Sequence, residues 1–299
     1  TSPIVLRVTH TKKLYSLDRL SLIKLQREHR SCTMENTKKL IVGIFIAINM
    51  VPLPCLCCDL MEDTRASCWD LSSTPYITYE QSKFGPLIEG ASANPAGNIF
   101  AADYGNSRTT FQLGQGTIFT SGMKWLADTN NTHGDIWSCR RDGTVQQLEV
   151  LGRTNGIDLS PDEKLLYVSE SFNRGGSPYA QRIWKYAVDT EGGTIAQKTL
   201  FADFDNLDGS VTSDIDGMKT DTMGNLFVAR YGGRHVAVLS PTGTIIGKIR
   251  VSFPNPTNLE FGGQDGKTLF IVGQCSREGR GCVDQIRVVN PGRTWKMLQ

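Results

Sequence analysis

Asn155-Gly-Ile-Asp-Leu-Ser-Pro-Asp-Glu-Lys-Leu-Leu-Tyr-Val-Ser169 carries the plan of this chain. It opens on two small polar positions, continues as the alternating segment Ile157-Asp-Leu159, turns on Ser-Pro-Asp-Glu, and ends in an apolar run. Two short apolar runs joined by such a turn make a β-hairpin signature. The same unit returns as Asp216-Gly-Met-Lys-Thr-Asp-Thr-Met-Gly-Asn-Leu-Phe-Val-Ala229. It appears earlier as Glu89-Gly-Ala-Ser-Ala-Asn-Pro-Ala-Gly-Asn-Ile-Phe-Ala-Ala-Asp103, and later, more loosely, as Thr257-Asn-Leu-Glu-Phe-Gly-Gly-Gln-Asp-Gly-Lys-Thr-Leu-Phe-Ile-Val272.

Between the copies lie further strand patterns, Arg182–Val188, His235–Leu239 and Thr244–Val251, so each unit offers about four strands. Repeated four-stranded units are the blades of a β-propeller. A β-sandwich gives no reason for the repetition, and the copies lie too far apart for β-helix coils. The 30 glycines against 12 prolines favour the same turn-rich, all-β reading. The spacing is uneven, at 66, 61 and 41 residues between successive openings, which leaves room for five or six blades of ~40–50 residues. Residues 70–80 are expected to supply a strand to the sheet holding Gln285–Val289, because joining the two ends of a ring removes open strand edges.

The first 58 residues read differently. They hold nine of the 32 Lys/Arg and three of the 30 Asp/Glu, leaving 23 basic and 27 acidic residues in 59–299. A mildly acidic body lacks the dense basic surface that nucleic acid requires. After Met34, a charged stretch leads into the twelve-residue apolar run Leu40–Val51 and then Pro52-Leu-Pro-Cys-Leu-Cys-Cys58. This is the layout of a secretory signal peptide, and the run is too short to span a bilayer. The expected organisation is therefore an upstream segment at 1–33, a signal peptide at 34–58, and one propeller domain at 59–299.

Secretion changes the meaning of the cysteines. Cys68, Cys139, Cys275 and Cys282 remain, an even number in an oxidising compartment. Cys275 and Cys282 bracket a hairpin-like loop and are expected to pair, leaving Cys68 for Cys139; the other connectivities stay open. Asn130-Asn-Thr132 is a glycosylation acceptor.

The opening residue of each copy precedes the innermost strand of its blade, so its side chain is expected to face the central axis. Glu89, Asn155 and Asp216 are hard oxygen donors converging there, while Thr257 is a poor ligand. Such a set suits Ca²⁺ first, with Mg²⁺, Mn²⁺ or Zn²⁺ as alternatives. Taken singly, Asn or Asp before Gly is equally a turn former.

Thr154-Asn-Gly-Ile-Asp-Leu-Ser-Pro-Asp-Glu-Lys164, Ile215-Asp-Gly-Met218, Glu89-Gly90 and Pro254-Asn-Pro-Thr-Asn-Leu-Glu-Phe-Gly-Gly263 together resemble the gluconolactonase/regucalcin-like propeller family, in its branch of secreted fungal members. The resemblance covers roughly residues 75–299. It implies a six-bladed propeller with one divalent cation held by Glu89, Asn155 and Asp216. It departs from the family pattern between Glu89 and Asn155, where the expected Pro-Asn-Asp opening is missing, as if one blade were absent; Asn130 or Asn131 is the substitute at hand.

Two functions follow as expectations. One is a secreted, metal-dependent hydrolase of lactones or similar cyclic esters, with Asp216 as general base and a sugar-acid-like small molecule as ligand. The other is a non-catalytic secreted propeller that binds a metal, ligand or protein. The chain has neither a Gly-x-Ser-x-Gly elbow nor a His-Glu-x-x-His motif. A monomer without a membrane span is expected.

Overall fold

The computed structural model describes residues 14–16, 71–78, 88–93, 99–103, 110–114, 117–124, 126–140, 142–275 and 280–297. Residues 34–58 and Cys68 lie outside them, and Glu89 is placed by its backbone alone. Strand β1 (Leu14–Ser16) comes first, followed by β2 (Leu71–Ser72) and β3 (Thr74–Ile77). The first sheet is the hairpin β4 (Ile88–Ala93) and β5 (Ile99–Asp103), with β1 beyond β5. The second is β6 (Thr110–Gly114), β7 (Thr117–Met123), β8 (Gly134–Cys139) and β9 (Val145–Leu151). The third is β10 (Ile157–Leu159), β11 (Leu165–Arg174), β12 (Ser177–Asp189) and β13 (Thr194–Asp203). After the short helix α1 (Phe204–Asp208) comes the fourth, β14 (Asp214–Thr220), β15 (Leu226–Tyr231), β16 (His235–Leu239) and β17 (Ile245–Arg250), with β2 on its outer edge. The fifth is β18 (Asn255–Gly262), β19 (Thr268–Gln274) and β20 (Gly281–Arg287), completed by β3; helix α2 (Arg293–Met297) follows.

These are propeller blades: antiparallel meanders whose first strands β6, β10, β14, β18 and β4 lie beside one another in turn. Each sequence copy is the inner pair of strands of one blade. The described residues form five sheets rather than the six implied by the family resemblance. One sheet, β6–β9, occupies the 66-residue interval after Glu89 without carrying the repeated motif. The long interval after Asn155 has a different cause: β11 and β12 run 10 and 13 residues, and α1 is added after β13.

The hairpin turns follow from local chemistry. Asp221 Oδ1 accepts from the amides of Met223 and Asn225, both at 2.9 Å, and Gly224 takes φ 83°. Ser160 Oγ does similar work at the corresponding turn, accepting from Leu165 N at 3.0 Å. The apolar residues meet between blades. Phe119, Ile136, Ile157 and Val168 fill the space between the second and third; Tyr167, Phe204, Ile215 and Leu239 fill the next. Between the fourth and fifth, Phe227 and Phe261 meet edge to face at 5.2 Å. A middle blade is thus buried on both faces, which is why Leu226-Phe-Val-Ala229 and Val236-Ala-Val-Leu239 are unbroken apolar runs.

The ends of the body are stitched together. Strand β3 pairs antiparallel with β20, with Thr74 opposite Gln285, as expected for residues 70–80. Ser73 Oγ donates to Asp284 Oδ2 at 2.7 Å. Cys275 and Cys282 form a disulfide across the β19–β20 hairpin. Among the described residues Cys139 has no disulfide partner, and Cys68, its expected partner, lies outside them. No helix among the described residues is long and apolar enough to cross a membrane.

Candidate functional site

The opening residues sit where the inner strands begin. Irregular register falls at this point in three of the blades: between Glu89 and Ser92, between Ile215 and Met218, and between Pro256 and Asn258. A bulge there re-aims the side chains away from the regular alternation of a strand. Asn155 is held through its backbone by the blades on either side of the junction: its amide donates to Ser169 Oγ at 3.1 Å, and its carbonyl accepts from Ser121 Oγ at 2.5 Å.

Its side chain then reaches the next blade, where Nδ2 donates to Asp216 Oδ1 at 2.7 Å. Both residues are buried, at 7% and 2% exposure. The structure therefore brings two of the three expected ligands together, 61 residues apart in sequence. Glu89 is the second residue of β4, which lies beside β18.

The glycines after these residues are there for close approach. Neither Gly156 nor Gly217 has a positive φ. A Cβ on Gly156 would stand 2.3 Å from the Asp216 carbonyl oxygen, and one on Gly217 would stand 2.3 Å from Asn258 Cγ. Asn-Gly and Asp-Gly are thus spacing devices between neighbouring inner strands rather than turns.

Other expectations are corrected or sharpened. Thr257 Oγ1 donates to Val272 O within its own blade at 3.3 Å, in keeping with its poor ligand character. The neighbouring Asn258 is the residue that packs against the Asp216–Gly217 step, its Oδ1 accepting from Leu259 N at 2.9 Å. Asn130 does not replace the missing opening: it is exposed, and its Oδ1 accepts from Thr132 N and Oγ1 at 2.9 and 2.6 Å. His235 is a structural residue, with Nδ1 2.8 Å from Gly233 O and a pKa that burial lowers.

Sequence reasoning missed Arg153 and Asp214, which form a close buried ion pair beside the Asn155–Asp216 contact. A signal existed, since each lies two residues before an opening residue. At the far end of the inner strands a second polar cluster joins the blades. Arg293 from α2 donates to Asp158 Oδ1 at 3.2 Å, and Lys219 lies 3.4 Å from Glu260, whose carboxyl is pushed up by burial against the pull of that lysine.

The donor chemistry at Asn155 and Asp216, a buried carboxylate against a carboxamide on adjoining strands, fits a hard cation. Among the described residues no three His, Cys, Asp or Glu side chains cluster as a metal centre.

Residues 90–274 match the family model described as "SMP-30/Gluconolactonase/LRE-like region". A gluconolactonase of Zymomonas mobilis is 37% identical over 142 residues, 46% of this chain and 38% of that protein. The pentonolactonase XacC of Haloferax volcanii is 28% identical over 140 residues, 46% and 44% of the two chains. The matches therefore span less than half the length of these relatives. The crystal structure of regucalcin from Agrobacterium tumefaciens, described as a calcium-binding protein, superposes with a TM-score of 0.57 at 15% identity, covering 75% of this chain and 99% of that one.

Proposed function

The chain belongs to the SMP-30/gluconolactonase/LRE-like family, and from that premise we propose that it is a divalent-metal-dependent hydrolase of lactones. The observation that carries the reading is the buried Asn155–Asp216 contact at the openings of adjoining inner strands. Asn155 and Asp216, with Glu89 on β4, are the residues that would hold the cation, Ca²⁺ in the first instance. When bound, such an ion supplies Lewis acidity toward a lactone carbonyl.

The chain's own residues do the rest. Burial makes the Asp216 carboxylate a stronger electrostatic partner than it would be in water, and in this reading it accepts a proton from an attacking water. Asn155, fixed through both its backbone amide and carbonyl, orients its carboxamide against Asp216 and against a substrate oxygen. The named activities of the relatives support a sugar-acid-like lactone as the substrate class. The Cys275–Cys282 bridge supports an oxidising, extracellular setting.

The test is calcium-dependent melting together with hydrolysis of an aldonolactone followed by acid release. A cation that binds only the folded state stabilises it by about 2.7 kcal/mol at a hundredfold excess over Kd. Asp216→Asn should weaken that shift and abolish hydrolysis. The variant keeping the full calcium shift would show that Asp216 is not a ligand. Wild-type protein with a calcium shift but no turnover would favour the non-catalytic binding propeller.

A further inference from the structure

Two rungs connect the third and fourth blades at the site. One is Asn155 to Asp216; the other, two residues upstream on each segment, is Arg153 to Asp214. Both rungs join the same two segments, two residues apart on each, so they are neighbouring links across one junction. Arg153 is anchored at both ends: Nη2, which holds Asp214, also donates to Asn173 Oδ1 at 3.1 Å, and its backbone exchanges hydrogen bonds with Ser171 at 3.2 and 2.8 Å. Asn173 is itself clasped by the loop before β8, its amide donating to Thr129 Oγ1 at 2.6 Å and its carbonyl accepting from Thr129 N at 3.1 Å.

We propose that the Arg153–Asp214 pair is a positioning brace that sets the separation of Asn155 and Asp216. The inference rests on reading those two residues as the binding pair. A planar guanidinium suits this work better than a flexible ammonium, since its Nη2 is held by Asn173 and Asp214 together. The brace also gives Asp214 a charged partner of its own. The Arg293–Asp158 pair is a control of the same chemistry and burial at the opposite end of the inner strands.

The test cuts each pair without changing net charge, in full-length protein: Arg153→Met/Asp214→Asn against Arg293→Met/Asp158→Asn. Two quantities are read, the calcium Kd and, in metal-free protein labelled with ¹⁵N-asparagine, the exchange protection of the Asn155 side-chain amide. Cutting the Arg153 pair should weaken calcium binding by about 10–100-fold, the range typical of losing a partner that orients a ligand, and should remove the amide protection. Cutting the Arg293 pair should lower the melting temperature while leaving both readouts unchanged. Equal effects of the two cuts, or no effect of the first, would overturn the brace. Should wild-type protein bind no calcium, the metal reading fails and the amide readout alone decides the brace. If the first double variant does not fold, Arg153→Lys serves instead, and unchanged amide protection in it would overturn the proposal.

Discussion

Gly156→Ala is the sharpest probe of how the inner strands are spaced. The added methyl would lie 2.3 Å from the Asp216 carbonyl oxygen and 3.0 Å from Met218 Cγ. Ordinary contact needs about 3.4 Å, so β10 and β14 must separate by roughly 1 Å. Rotamer changes give no relief, because the nearest atom is backbone. Overpacking of this kind costs about 1–3 kcal/mol. Alanine also restricts the unfolded chain, which returns about 0.4–1 kcal/mol, as φ at this position is not positive. The clash wins, with a net loss of about 1–2 kcal/mol. For a body of this size that corresponds to a fall in melting temperature of about 2–8 °C, at roughly 2–4 °C per kcal/mol. Gly217→Ala makes the comparison: its methyl meets the Asn258 side chain, at 2.3–2.7 Å, and a side chain can rotate away. The cost there is the single Asn258–Leu259 hydrogen bond, about 0.5–1.5 kcal/mol. Thermal unfolding followed by circular dichroism reads both. Gly156→Ala melting at or above wild type, or losing less than Gly217→Ala, would refute the close-approach account.

Three further outcomes are expected. Cys275→Ser/Cys282→Ser should cost about 2.4 kcal/mol by loop-closure entropy for a separation of 7 residues, read as the difference in denaturant midpoint; an unchanged midpoint would contradict it. Because burial holds His235 below the ordinary histidine pKa, the unfolded chain takes up a proton first as the solution is acidified. Its stabilising contribution is whole above about pH 6.5 and is lost as pH falls through the lower folded value, so His235→Asn should flatten the melting profile between pH 7 and 5. Deleting residues 288–299 removes Arg293 from Asp158 and Glu163, and Asn290 from Asp221. A buried carboxylate stripped of its partner costs about 3–5 kcal/mol, and Asp158→Asn in the truncated chain should recover part of it; a truncated chain as stable as the whole would refute the closing role of the C-terminus.

The repeated units were legible because strand alternation and turn chemistry are written within a few residues. Asn155, Asp216 and the pairing of residues 70–80 with the last strand could all be named from such local patterns, and the hairpin disulfide likewise from its short loop. The sheet β6–β9 was not legible as a blade, since it lacks the polar opening that marks the others; only the packing of β6 against β10 places it in the row of inner strands. The role of Gly156 and Gly217 was also hidden. In sequence they suggest turns, and only the approach of a neighbouring blade shows what their missing side chains make room for.

What the sequence by itself determined is the blade: two inner strands, their turn, and a polar residue at the opening. Tertiary structure alone decided which openings meet. Arg153 finds Asp214 and Asn155 finds Asp216 across 61 residues each, with an extended hairpin and a helix between, a separation over which no local propensity acts. Those contacts are selected by how one blade packs on the next, where interdigitating apolar faces set the distance and the buried polar groups must then find partners.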